Sequence, residues 1–194
     1  MVTFLIIVLL AFQVFLLFCM GVIFSLLVLG VAKVPWVPTP PRIGREMYKL
    51  IGLKPGERVL DLGCGDGSLL IAAAKEFGAT GVGYELHPVL RWAARLKANL
   101  AGVGDRVEFR GGNFFRVDLP DTDVIASYLF TEVQAKLEPV LRKRYPNGLR
   151  IVSRTFPYLW LSPATASVPC GKETLYAYRL PPAGETSPSP ASTS

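Results

Sequence analysis

Val59-Leu60-Asp61-Leu62-Gly63-Cys64-Gly65-Asp66-Gly67 is an apolar run that ends in a carboxylate and passes straight into alternating glycines. An apolar segment resumes at Ser68. The run over 58–62 predicts a buried strand, and the glycines a turn that lets backbone approach a ligand closely. Residues 68–77 predict a helix whose free N–H groups point back at that turn. A strand, turn and helix of this kind hold a nucleotide-like cofactor, and the rest of the chain is read outward from it.

Downstream the pattern alternates. The spacing predicts strands over 81–85, 107–109, 124–129 and 149–154, with helices over 88–100 and 132–144 among them. Strands alternating with helices imply an α/β fold of the Rossmann-like, doubly wound kind. Its mostly parallel sheet is covered on both faces by right-handed crossovers. Residues 157–173 are rich in turn formers and 174–180 alternate like a strand, which predicts an antiparallel C-terminal hairpin. Residues 181–194 are rich in Pro, Ser and Thr and lack an apolar anchor, as expected of a disordered tail.

Much of the 51% apolar content of the 194 residues lies at the other end. No charged residue occurs from Val2 to Ala32, and Lys33 is the first. At ~1.5 Å per helical residue, that run exceeds the ~30 Å hydrocarbon core of a bilayer. A signal peptide is the competing reading, but it needs a basic start and an apolar core of only ~7–15 residues. Residues 1–33 are therefore read as one transmembrane helix. Lys33, Arg42 and Arg45 follow it and nothing basic precedes it, which places residues 33–194 on the cytoplasmic side. Val34-Pro35-Trp36-Val37-Pro38-Thr39-Pro40-Pro41 is then an extended, stiff linker, with Trp36 suited either to the headgroup interface or to a lid. A short helix over 42–51 carries Ile43, Met47, Leu50 and Ile51 at helical spacing. Four regions result: the membrane helix 1–33, a Pro-rich linker and short helix over 34–54 read as a lid on the substrate side, an α/β domain over 55–180, and the tail 181–194.

All of the net charge of +6 lies beyond the apolar run. It suits an anionic membrane face or a nucleic acid, and equally a scatter of solvated charge. Cys19, Cys64 and Cys170 have neither zinc nor redox spacing, so they are read as reduced, structural thiols, and no metal site is expected.

A glycine turn after a strand also serves dinucleotide sites. Three residues sharpen the reading. Asp61 precedes the first glycine, where a dinucleotide fingerprint needs no acid. Glu85 closes the second strand in Gly81-Val82-Gly83-Tyr84-Glu85, facing the crevice where a ribose would lie. Asn113, after the third strand, stands where an adenine edge would be met. Together these residues resemble the seven-strand methyltransferases that use S-adenosylmethionine and release S-adenosylhomocysteine. The resemblance covers roughly residues 55–180. It implies that Asp61 and Gly63 lie near the methionine end of the cofactor, that Gly65 lets backbone approach, and that Glu85 accepts from both ribose hydroxyls. The family often carries Asp where Asn113 stands, a conservative departure.

The apolar run, the Pro-Thr-Pro approach, the short helix, the Val59–Gly67 turn and Gly83-Tyr84-Glu85-Leu86 are similar to a smaller branch. Its members are single-span protein-lysine methyltransferases, including those acting on the mitochondrial adenine nucleotide translocase and on the ATP synthase c-subunit. The resemblance implies a protein substrate, itself in the membrane, and an entrance built partly by residues 34–41.

A lysine attacks only as a neutral amine, and at its ordinary pKa of ~10.4 about one in a thousand is neutral near pH 7. Aromatic walls that depress this pKa are expected at the end of the fourth strand, which makes Tyr128 and Phe130 the candidates for the catalytic pocket. His87 is expected to start a helix rather than to catalyse. Ser127-Tyr128-Leu129-Phe130 lacks the Asn/Asp-Pro-Pro-aromatic signature of exocyclic-amine methyltransferases, which disfavours nucleic acid. A lipid or quinone methyltransferase and a catalytically silent, membrane-tethered scaffold are the rival functions.

Overall fold

The structure, a computed structural model, describes residues 2–31 and 37–185, with side chains from 3 to 25 in the first segment. The chain divides into two compact units, Met1–Trp36 and Val37–Ser194. The described residues of the first form a helix, α1 (Val2–Val31). Its stretch Thr3–Ser25 buries nothing and is long and apolar enough to cross a bilayer. A signal sequence near the N-terminus can meet the same criterion of length and apolarity. The expectations for Lys33 and Trp36, and for the tail beyond residue 185, fall outside the described residues.

In the second unit the elements follow as α2 (Pro41–Ile51), β1 (Arg58–Leu62), α3 (Ser68–Phe77), β2 (Thr80–Tyr84), α4 (Pro88–Leu100), β3 (Val107–Arg110) and β4 (Val124–Ser127). Then come α5 (Thr131–Arg144), β5 (Leu149–Arg154), β6 (Ala166–Cys170) and β7 (Glu173–Leu180). The seven strands form one sheet in the order β3-β2-β1-β4-β5-β7-β6. β1 through β5 pair in parallel. All four residues of β4 and the last four of β1 are buried, as a sheet covered on both faces requires.

The strand order reverses between β1 and β4, which opens a crevice beyond their carboxyl ends. β2 ends at Tyr84 and β4 at Ser127. Glu85 and Tyr128–Leu129, expected inside these strands, are therefore the first residues past them and, with Phe130, follow the strand ends at the crevice.

The C-terminal hairpin forms, but with an order the linear pattern does not show. β7 inserts between β5 and β6 and runs antiparallel to both, so β6 runs in the same direction as β1–β5. β6 lies in a stretch that reads as turns because Pro169 interrupts it. An edge strand tolerates proline, since one row of its N–H groups has no partner strand to meet.

α2 is built into the body. It starts with Pro41 at its first position and stops at Gly52, whose φ of +63° is the left-handed cap that glycine accepts readily. Met47 and Tyr48 have no exposed surface, and Ile51 is buried. Gly44 brings the helix onto Leu69 and Ala72 of α3. The linker helix expected beside the substrate is thus also a core helix, because its apolar stripe has the sheet to cover.

Candidate active site

The glycine turn joins β1 to α3 through Gly63, Gly65 and Gly67, with φ of +80°, +54° and +74°. These are left-handed conformations that an L side chain adopts only with strain. The turn is stitched to β2, because Gly63 N–H and Cys64 N–H both donate to the Tyr84 carbonyl, at 2.9 and 3.0 Å. Cys64 is buried against Gly83, where an added Cβ would meet its Sγ at 2.6 Å, so this thiol fills a packing position. Beyond the turn, the Asp66 carboxylate accepts from Ser68 Oγ at 2.8 Å and pairs with Lys97 at 2.6 Å, which fixes the start of α3.

Glu85 closes over the same turn. One carboxylate oxygen accepts from Gly65 N–H at 3.0 Å and the other from His87 N–H at 2.8 Å. His87 is buried and caps α4, its Nδ1 accepting from Val89 N–H at 3.2 Å, which is the helix-start position expected. Arg91, one turn into α4, donates to the carbonyls of Glu85 and Leu86 at 2.9 and 3.2 Å. It also lies over Gly111, where an added Cβ would come within 2.9 Å of its guanidinium carbon. Arg91 thereby braces the loops after β2 and β3. Sequence reasoning misses it, since an arginine on a helix face carries no local signal.

Asp61 is 2% exposed at the end of β1. Burial pushes its carboxyl up to about 8 from the usual 3.8, with the nearby charges of Glu85 and Asp66 adding to the effect. Tyr48 of α2 reaches the same place. Its phenol is raised by burial and by the charge of Asp61, and its hydroxyl has no hydrogen-bond partner among the described residues. A buried hydroxyl left without a partner beside a buried acid calls for an explanation, and a polar ligand atom supplies one. Two carboxyls that repel each other and an idle hydroxyl fit a ligand with cationic groups and a sugar diol. S-adenosylmethionine, with its ammonium, sulfonium and ribose, is such a ligand.

The structure brings Asp61, Gly63, Gly65 and Glu85 together. Asn113 sits in the loop after β3, and its side-chain oxygen accepts from Phe115 N–H at 3.0 Å, closing a local turn. Tyr48 escapes sequence reasoning because its helix reads as a cover. An amphipathic helix directly before the glycine-turn strand is the signal available.

A second cluster lies past β4 and β5. Leu129 connects the two clusters, since its Cδ2 would touch a Cβ at Gly63 at 3.4 Å. Beside it the Tyr128 ring stacks on Phe156 at 5.8 Å, and Phe130 meets Phe156 edge to face at 4.9 Å. Phe156 follows a tight reversal at the end of β5. Its N–H donates to the Arg154 carbonyl at 2.7 Å across Thr155, whose φ is +65°. That is a strained γ-turn, unusual for a β-branched residue. The Phe156 carbonyl is held by Ser153 Oγ at 2.6 Å and Gln134 Nε2 at 3.1 Å. Beneath, buried Ser127 and Tyr158 share a hydrogen bond of 3.1 Å. Phe156 has no signal in the sequence because it stands beside a stretch whose prolines predict only turns.

Among the described residues no group of three metal-binding side chains gathers. The family model of the ANTKMT methyltransferase domain matches residues 61–165. The protein-lysine N-methyltransferase of Saccharolobus islandicus is 38% identical over 127 residues, covering 65% of this chain and 79% of that one. The mouse adenine nucleotide translocase lysine N-methyltransferase is 34% identical over 154 residues, 79% of this chain and 66% of the enzyme. The mouse lysine N-methyltransferase of the ATP synthase c-subunit is 31% identical over 147 residues, 75% of this chain and 58% of the enzyme. The chain thus spans less than two thirds of the length of either mouse relative. Among solved structures, an RNA methyltransferase from Salinibacter ruber bound to S-adenosylhomocysteine is 36% identical with a TM-score of 0.71, over 75% of this chain and 94% of that one. The glycine turn, the paired acids and these likenesses agree: the chain belongs to the ANTKMT methyltransferase-domain family and is an S-adenosylmethionine-dependent methyltransferase.

Proposed function

We propose that the protein methylates lysine side chains of a membrane protein, with α1 as a single span and the α/β body on the cytoplasmic side. Asp61, Gly63, Gly65, Glu85 and Asn113 are the cofactor residues in this reading. Tyr128 and Phe130, joined by Phe156, line the entry of the acceptor. The observation that carries it is the aromatic cluster set against the glycine turn through Leu129. The relatives named for protein-lysine methylation support the same substrate class. The uncharged helix and the bases after it support the anchor and its orientation.

The cofactor supplies an electrophilic methyl group on a sulfonium. The chain's own contribution is to align the acceptor and to exclude water. Glu85, with both oxygens pre-set on backbone N–H groups, is oriented to accept from the ribose. Asp61, with a charge otherwise destabilised by burial, gains from a cationic ligand. Tyr128, Phe130 and Phe156 surround an entering side chain with ring surface. That environment favours the neutral amine over the ammonium and lowers the ~4 kcal/mol cost of deprotonation. No side chain of the protein has to form a covalent bond.

The Salinibacter neighbour supports a second reading, transfer to RNA, and the net charge of +6 is compatible with it. One experiment separates the acceptor classes. Purified full-length protein is incubated with methyl-labelled S-adenosylmethionine, native membranes and total RNA, and the products are divided by organic extraction, nuclease and protease. Label in a protease-sensitive membrane band, with mass steps of one methyl on lysine, is the expected result. Label that partitions with lipid, or that nuclease releases, would overturn the lysine assignment.

A further inference from the structure

Arg154 is a buried cation on the acceptor side that neither cofactor binding nor the aromatic entry has so far required. It is the last residue of β5 and is 4% exposed. Its Nε and Nη2 grip the two oxygens of Glu173 at 2.6 and 2.7 Å, which holds the guanidinium in one plane. Its Nη1 donates to Thr39 Oγ1 at 2.9 Å and, at 3.4 Å, to the Pro38 carbonyl. Its Cζ lies 4.2 Å from the centroid of the Tyr128 ring. One side chain thus touches the Pro-Thr-Pro segment, the first aromatic residue after β4, and β7.

Stability alone does not account for this. A buried ion pair recovers little more than its own desolvation cost, and apolar side chains of similar volume commonly do as well. What the arrangement supplies is geometry. A guanidinium is planar, presents its donors as a fork and stacks on aromatic faces, so the partners of Arg154 are fixed relative to one another. The Tyr128 ring meets both the Arg154 guanidinium and the Phe156 ring. The strained reversal at Thr155 brings Phe156 back to the same ring.

We propose that Arg154 is a positioning residue for the methyl acceptor: locked by Glu173, it joins the Tyr128 ring, the Pro38 carbonyl and the Thr39 hydroxyl into one rigid wall of the acceptor channel. The proposal rests on the reading that the acceptor enters along Tyr128. Arg154 touches no residue of the glycine turn in this scheme, so its loss spares the cofactor. Thr39 contributes through its hydroxyl, and Glu173 through the planar grip.

The test uses the full-length protein and native membranes prepared from cells lacking it, with methyl-labelled S-adenosylmethionine. Arg154→Lys keeps the charge but loses the fork and the stacking. It is expected to lower turnover on membrane protein at least tenfold, while the dissociation constant for S-adenosylhomocysteine stays within about twofold. Thr39→Val, which leaves the core intact, is expected to lower turnover about threefold. In a Tyr128→Leu background, Arg154→Lys should cost less than about twofold more, because the wall it positions is gone. Turnover of Arg154→Lys within twofold of the parent would overturn the proposal, as would a loss that follows cofactor affinity or that persists in full in the Tyr128→Leu background. If Tyr128→Leu alone leaves turnover unchanged, the acceptor reading itself fails.

Discussion

The two halves of the crevice are built in different ways. On the side proposed for the methyl donor, nine consecutive residues from Val59 to Gly67 supply the strand end, the buried acid and the turn, and Glu85 arrives one strand later. On the side proposed for the acceptor, the partners are Pro38, Thr39, Tyr128, Phe130, Arg154, Phe156 and Glu173, drawn from separate stretches of chain. A local motif is sufficient where backbone itself does the binding, since one turn presents several N–H groups at once. An aromatic wall needs surfaces from several elements, and only packing brings these together. This division predicts that donor-side changes act on cofactor affinity and folding, and that acceptor-side changes act on turnover alone.

The largest expected break is at the turn. Gly67→Ala puts a Cβ 2.6 Å from the Phe109 ring at a φ of +74°. Left-handed strain of ~1–2 kcal/mol and overpacking of ~1–3 kcal/mol should together destabilise the fold by several kcal/mol in a denaturant titration. Next is Glu85→Ala, which removes an acceptor worth ~1.5–3 kcal/mol per charged hydrogen bond. S-adenosylmethionine affinity should fall at least about tenfold by calorimetry, and retained affinity would remove Glu85 from the site.

The pH dependence tests the same half. Asp61 has a folded pKa raised to about 8 from 3.8, so the free native protein keeps a proton that the unfolded chain releases. The stability this gives is fully present below 3.8 and is lost as pH rises through 8. A cationic cofactor favours the carboxylate, so binding below pH 8 must expel that proton. Affinity should therefore weaken as pH falls from 8 to 6, by at most about tenfold per unit. Calorimetry in buffers of different ionisation enthalpy measures the released proton, and Asp61→Asn should abolish both slopes.

On the other side, Phe156→Ala removes two ring contacts of ~0.5–1.5 kcal/mol each. It should lower methyl transfer to membrane protein about tenfold while leaving cofactor affinity within about twofold. An equal loss of affinity would erase the distinction between the halves. The smallest effect is expected at Arg142, on the solvated face of α5, where it pairs with Glu138 at 2.9 Å and sits 5.4 Å from the Trp160 ring centroid. Arg142→Ala should change stability by less than ~1 kcal/mol and touch neither activity.

The amino-acid sequence alone determined most of the donor half. Asp61, the glycines and Glu85 are legible because a strand, a tight turn and a helix impose residue types at fixed spacing, and so does the alternation that makes the sheet. Strand ends fall one or two residues short of the apolar pattern at Glu85 and at Tyr128–Leu129, since periodicity does not register where a ladder stops. Only the tertiary structure decided that Tyr48 reaches Asp61, that β7 slips between β5 and β6, and that Arg154 ties Thr39 to Tyr128. These depend on which surfaces meet when the apolar faces of distant segments are buried, and no local pattern of side chains records that choice.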